Sequence, residues 1–94
     1  MNLQQHTFLK LGEECNEVAM LCSKIMQFGL DSEYQGVTNR QRLQNELNDI
    51  MASIEYIRQY SDFKFESSEY EIHKKIDKMN HFRDISEELG LVTN

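Results

Sequence analysis

The sequence predicts an all-α protein, a bundle of three main helices completed by oligomerisation. Three observations point there. Apolar residues recur every three or four positions in three separate segments, which is the spacing of an amphipathic helix. Proline is absent, and the 4 glycines fall at positions 12, 29, 36 and 90, so that only one of them interrupts those segments. A first helix of about 26 residues would be roughly 39 Å long at 1.5 Å per residue. A compact chain of this size has a radius of gyration near 12 Å and a diameter of roughly 30 Å. A helix longer than its own globule is better covered by a second subunit. Met20, Met26, Phe28 and Tyr56 are the side chains such a subunit would cover.

The first helix is expected from about Leu3 to Phe28, with Asn2 as N-cap and Gly29 just past the end. Its inward stripe is Leu11, Val18, Leu21 and Ile25. Gly12 inside it costs up to about 1 kcal/mol relative to Ala, and marks a bend or a close backbone contact. Residues 29–37 carry two glycines and no stripe, so they read as a loop. Thr38 and Gln41 have capping-box spacing and open the second helix, whose stripe is Leu43, Leu47, Ile50, Ile54 and Ile57, fading near Tyr60. Ser61 to Ser67 is a connector. Phe63 and Phe65 alternate there with polar residues, but a lone strand has no partner, so these rings are expected to plug one end of the bundle. Ser68 and Glu71 cap the third helix and Gly90 stops it, with Ile72, Ile76, Met79, Phe82 and Leu89 as its buried side.

Residues 1–94 are expected to form a single domain. At 39% hydrophobic and 28% charged the chain is too apolar to be disordered. No apolar run approaches the 18 or so residues of a membrane span, and the first residues lack a signal-peptide pattern, so a cytoplasmic protein is expected (host cytoplasm for a phage-encoded one). Cys15 and Cys22 lie seven apart on one helix, about 10 Å, beyond disulfide reach. They read as small core residues of a reducing compartment. A formal charge of −6 disfavours binding to a nucleic-acid backbone.

The chemistry lies where acid interrupts the apolar stripes. Glu14 falls between Leu11 and Val18, with Glu17 one turn on. Glu46 falls between Leu43 and Ile50, with Asp49 one turn on. A carboxylate facing a core is costly unless paired, protonated or bound to metal. Two such helices packed face to face would gather four carboxylates, a set suited to a hard cation such as Mg²⁺. Taken singly, each pair is an ordinary solvated helix face. His6, His73 and His81 share no ligand spacing, which argues against zinc.

The motif E-E-x-x-E, 28 residues, then E-x-x-D, formed by Glu13, Glu14, Glu17, Glu46 and Asp49, resembles that of the MazG-like all-α nucleoside triphosphate pyrophosphohydrolases, relatives of the dimeric dUTPases. The stretches Ser23-Lys24 through Phe28-Gly29-Leu30-Asp31 and Thr38-Asn39-Arg40 look like the small phage and bacterial branch; the third helix, with Lys75, Lys78 and Phe82, is similar in character. The resemblance implies an all-α NTP pyrophosphatase-like bundle, assembled as a homodimer or homotetramer. Such an enzyme uses Mg²⁺, with Mn²⁺ as substitute, to cleave a nucleoside triphosphate to monophosphate and pyrophosphate. It would serve nucleotide-pool cleansing or adjustment, dGTP- or dUTP-directed in a phage. By matching position, Glu14, Glu17, Glu46 and Asp49 are the implied metal ligands, and Glu13 is a supporting or proton-accepting residue of the motif. Lys24, Asn39, Arg40, Lys75 and Lys78 are candidate substrate contacts, the last two being equally readable as solvated charges. Phe28 and Tyr56 are candidates to stack on a base or to sit in the core. The competing class is a non-enzymatic acidic interaction module, an inhibitor or nucleic-acid mimic. That class needs acids spread over an exposed face, not acids at core spacing.

Overall fold

A computed structural model describes residues 1–93. The order is α1 (Leu3–Phe28), β1 (Glu33–Tyr34), β2 (Val37–Thr38), α2 (Asn39–Tyr60) and α3 (Glu69–Glu88). The helix limits follow the capping chemistry. Asn2 accepts from the Gln5 backbone at 2.8 Å while the Gln5 side chain accepts from the Asn2 backbone at 2.9 Å, closing a capping box. Gly29, at φ 90°, turns the chain out of α1. Thr38 caps α2 through the Gln41 N–H, and Ser68 caps α3 through the Glu71 N–H.

Segment 29–37 is not a featureless loop. Glu33 pairs with Thr38 and Tyr34 with Val37 in a minimal antiparallel hairpin. Gln35 and Gly36 form its two-residue turn, both with positive φ (54° and 76°), the signature of a type I′ turn. The first turn position holds Gln rather than the favoured Asn or Asp, and two-residue strands leave no alternation to read. The hairpin is tied to its surroundings: Asn39 N–H donates to Ser32 O (3.0 Å), Arg40 N–H to Leu30 O (2.8 Å), and Asn39 Nδ2 to Gly29 O (3.0 Å). It fixes how α2 leaves the end of α1.

α1 and α2 pack as an antiparallel pair. At the end away from the hairpin, His6 Nδ1 meets Tyr56 Oη at 3.0 Å and the Gln4 side chain accepts from the Asp62 N–H at 3.2 Å. Leu21 and Ile57 are the buried apolar side chains, and Thr7, Ser53 and Ser61 are buried small polar ones that hydrogen-bond to nearby carbonyls. The stripes are half-buried at Leu11, Val18, Ile25, Leu43, Ile50 and Ile54, but Leu47 is exposed. Cys15 and Cys22, expected in the core, are exposed.

α3 departs most from expectation. No residue of it is buried, and Ile72, Ile76, Met79, Phe82 and Leu89 are all open to solvent. Phe63 and Phe65 are exposed as well, yet both line a small apolar pocket with Leu11, Ile54 and Ile57, so the rings lie against the α1–α2 pair without being buried in it. Within one chain the three helices therefore make a two-helix hairpin with a third helix set apart. The radius of gyration is 16.8 Å, with extents of 47 × 39 × 21 Å, against about 12 Å for a compact chain of this length. The periodicity of α3 shows that it has an apolar side; it does not say whether that side is covered by its own chain. No helix among the described residues is long and apolar enough to cross a membrane.

Candidate functional site

The acids that interrupt the two stripes meet where α1 faces α2. Glu14, Glu17 and Glu46 each place a carboxylate oxygen so that all three lie within 4.8 Å of one another. Glu14 and Glu46 are half-buried and Glu17 is exposed. One oxygen of each inner acid, Glu14 Oε2 and Glu46 Oε2, is buried with no hydrogen-bond donor in reach. An uncompensated carboxylate oxygen in such a place is unfavourable, and something must supply positive charge or a proton.

The carboxyl groups register that strain. Burial raises Glu14 above the ordinary 4.5, and the charges of Glu17, Asp49 and Glu13 raise it further. Glu46 is also raised, first by burial, then by the close carboxyl group of Glu17 and by the charges of Asp49 and Glu14. Asp49 is thus close enough to act on both inner acids, although its oxygens stand outside the tight trio. Glu13 faces away and pairs with Lys10 at 3.1 Å. An all-carboxylate donor set with open solvent on one side suits a hard divalent cation better than a soft one.

A groove leads from the trio toward the hairpin. Glu17, Glu46, Asn45, Lys24 and Arg42 line its first part. Lys24 and Arg42 continue into a second part with Phe28, Tyr34 and Asn39. The groove therefore has Glu17 and Glu46 at one end, two cations in the middle, and two aromatic rings beside Glu33 at the other. Arg42 is held in place: its Nη2 donates to Tyr34 O at 2.7 Å and its guanidinium lies 5.7 Å from the centre of the Tyr34 ring.

Among the other candidate substrate contacts, Lys24 lies in the groove. The Asn39 amide is buried and committed to Gly29 O. Arg40 is paired with Asp31 at 3.0 Å, which holds the Asp31 carboxyl below its usual range. Lys75 lies in an apolar groove between the connector and α3, away from the acids, and Lys78 rides on the same helix. Tyr56 sits at the far end against His6. Arg42 and Tyr34 were the residues not foreseen. Arg42 had a signal, since it precedes Glu46 by four residues and so shares its face. Tyr34 had none, because only the hairpin brings it there.

No protein-family model, no curated protein and no solved structure matches the chain.

Proposed function

We propose that the chain is a Mg²⁺-dependent nucleoside triphosphate pyrophosphohydrolase that works as a homo-oligomer. The observation that carries this reading is the carboxylate trio within 4.8 Å, with two buried unpartnered oxygens, opening onto a groove with Lys24 and Arg42. Glu14, Glu17 and Glu46 would hold the cation, with Asp49 beside them. A bound Mg²⁺ neutralises charge on phosphate oxygens, polarises the phosphorus and acidifies water. A triphosphate would otherwise be repelled by this end of the groove.

The chain's own residues do the rest. Lys24 and Arg42 bind the anionic phosphates, Arg42 with its planar fork already oriented by Tyr34. Phe28 and Tyr34 offer faces on which a base can stack. A carboxylate left with a free oxygen accepts the proton of the attacking water. That water's oxygen bonds to the α-phosphorus, the bond from that phosphorus to the bridging oxygen breaks, and pyrophosphate leaves with its electron pair. Homo-oligomerisation is supported by the uncovered apolar side of α3 and by the extended shape.

The test is pyrophosphate release from a panel of nucleoside and deoxynucleoside triphosphates, dGTP and dUTP included. It is run with Mg²⁺, with Mn²⁺ and with chelator. Release with either cation and none with chelator is expected. No release from any triphosphate would overturn the reading.

A further inference from the structure

Arg42 is fixed by the hairpin rather than by an acid. Its Nη2 donates to the Tyr34 carbonyl at 2.7 Å, and its guanidinium lies 5.7 Å from the centre of the Tyr34 ring. Among the described residues no carboxylate pairs with Arg42, whereas the nearby Arg40 is taken up by Asp31 at 3.0 Å. A guanidinium presents a planar fork of several N–H donors, so most of those on Arg42 stay free for a ligand. Tyr34 is the last residue before the turn of the hairpin. The position of its carbonyl, and with it that of the fork, therefore follows the turn.

The two ends of the hairpin are secured differently. At its root, hydrogen bonds tie Asn39 and Arg40 to Gly29, Leu30, Asp31 and Ser32. At its tip Gln35 and Gly36 are exposed, and a Cβ built on Gly36 meets nothing within 4 Å. The tip is therefore held by its own backbone conformation, which is a demanding one. Gly36 takes φ 76° at no steric cost. Gln35 takes φ 54°, in the left-handed region that side chains other than Asn and Asp rarely enter. Two residue pairs of strand oppose that cost. Neither tip residue lines the groove.

We propose that Gln35 and Gly36 are positioning residues: their left-handed turn places the Tyr34 carbonyl so that the Arg42 fork is ordered before a phosphate chain arrives. The turn then sets the affinity of the groove for triphosphate without touching it, which rests on Arg42 being a phosphate ligand in the reaction proposed above. A loose arginine must be ordered on binding, and that ordering lowers affinity by about 2- to 12-fold. Apparent affinity also falls in proportion to the fraction of molecules whose site is assembled. Saturating substrate reassembles the hairpin, so the turn governs KM and not kcat.

Gly36→Val and Gly36→Asn test it. A branched Cβ strongly disfavours the left-handed region, whereas asparagine tolerates it. Gly36→Val is expected to raise KM for the best-cleaved triphosphate by about fivefold or more with kcat retained, since a left-handed L-residue carries a penalty of that order. Gly36→Asn is expected to stay within about twofold of wild type. In an Arg42→Lys background, which has no planar fork to orient, Gly36→Val should add less than about twofold. Calorimetric binding of inorganic tripolyphosphate with Mg²⁺ repeats the comparison without a base or a cleavage step. Weaker tripolyphosphate binding by Gly36→Val, in a protein that cleaves no nucleotide, would uphold the positioning and remove the reaction. Cleavage with equal KM in Gly36→Val and wild type overturns the positioning and leaves the reaction standing. The positioning also falls if Gly36→Asn is as weak as Gly36→Val, if Arg42→Lys leaves the KM rise undiminished, or if the wild type binds no tripolyphosphate. If Gly36→Val loses helix by circular dichroism, Gln35→Val, at the other left-handed position, takes its place in the same comparison.

Discussion

Glu14 and Glu46 set the terms at the residue scale. Each is placed by helix spacing at a position an apolar side chain would fill, and each has a buried oxygen without a donor. Gln at either position keeps the shape and removes the charge. Glu14→Gln and Glu46→Gln are therefore expected to lower triphosphate cleavage by about 10²-fold or more, since small displacements at a reacting centre cost that much. Helical circular dichroism should be retained. Glu55→Gln is the control: Glu55 pairs with Arg58 on the outer side of α2, and its loss should leave turnover unchanged. Wild-type turnover in both motif variants would make the acids structural. The same residues predict a pH dependence. Their folded-state pKa lies above the ordinary 4.5, so the folded state holds protons more tightly than the unfolded one. Their contribution to stability is complete below pH 4.5 and is lost as pH rises through the raised values. In chelator, the wild type is expected to lose stability from pH 4.5 upward relative to the Glu14→Gln/Glu46→Gln double variant, as read from denaturant midpoints. Parallel profiles would mean that the carboxylates are relaxed. These two acids were legible in the sequence because a charge on an apolar stripe breaks a regular pattern. Lys24 was one candidate among five and Arg42 was not singled out, because which cations meet the acids depends on the hairpin, and its pairing rests on two residues per strand.

At the scale of elements, α1 and α2 gain from each other what α3 lacks. A helix of 20 residues with every side chain at least partly wet draws little stability from packing. In proteins most helical stability comes from packing an amphipathic face, not from intrinsic propensity. Its caps are in order, with Ser68 at the start and Glu69 and Glu71 in the first turn, so the sequence marks its limits clearly. Its partner was not legible: the 3.6-residue period of Ile72, Ile76 and Met79 is the same whether the covering surface is intramolecular or belongs to another copy. Hydrogen exchange separates the two. Diluted to where the protein is monomeric, α3 amides are expected to exchange close to the unfolded rate while those of the α1–α2 interface remain protected. At high concentration α3 should become protected as well. Protection of α3 in the monomer would mean that it folds back onto its own chain.

Over the whole molecule, acidic charge is both general and local, and the two have different remedies. The formal charge of −6 is spread over 94 residues, and that part of the repulsion is screened by any salt. The trio of Glu14, Glu17 and Glu46 is packed within 4.8 Å around two buried oxygens, where screening is weak and a coordinated divalent cation is the effective counter-charge. A ligand bound only by the folded state stabilises it by about 2.7 kcal/mol at a hundred times its dissociation constant. For a domain of this size each kcal/mol raises the melting temperature by about 4–8 °C. Mg²⁺ at millimolar concentration is therefore expected to raise the melting temperature by about 5 °C or more at fixed protein concentration. KCl at equal ionic strength should produce a markedly smaller shift. The Glu14→Gln/Glu46→Gln double variant, which keeps most of the net charge but loses the inner acids, should melt at a higher temperature than wild type in chelator and respond to Mg²⁺ no more than to KCl. Equal shifts from the two salts in the wild type would reduce the cluster to diffuse surface charge, and the proposed catalytic centre would fall with it.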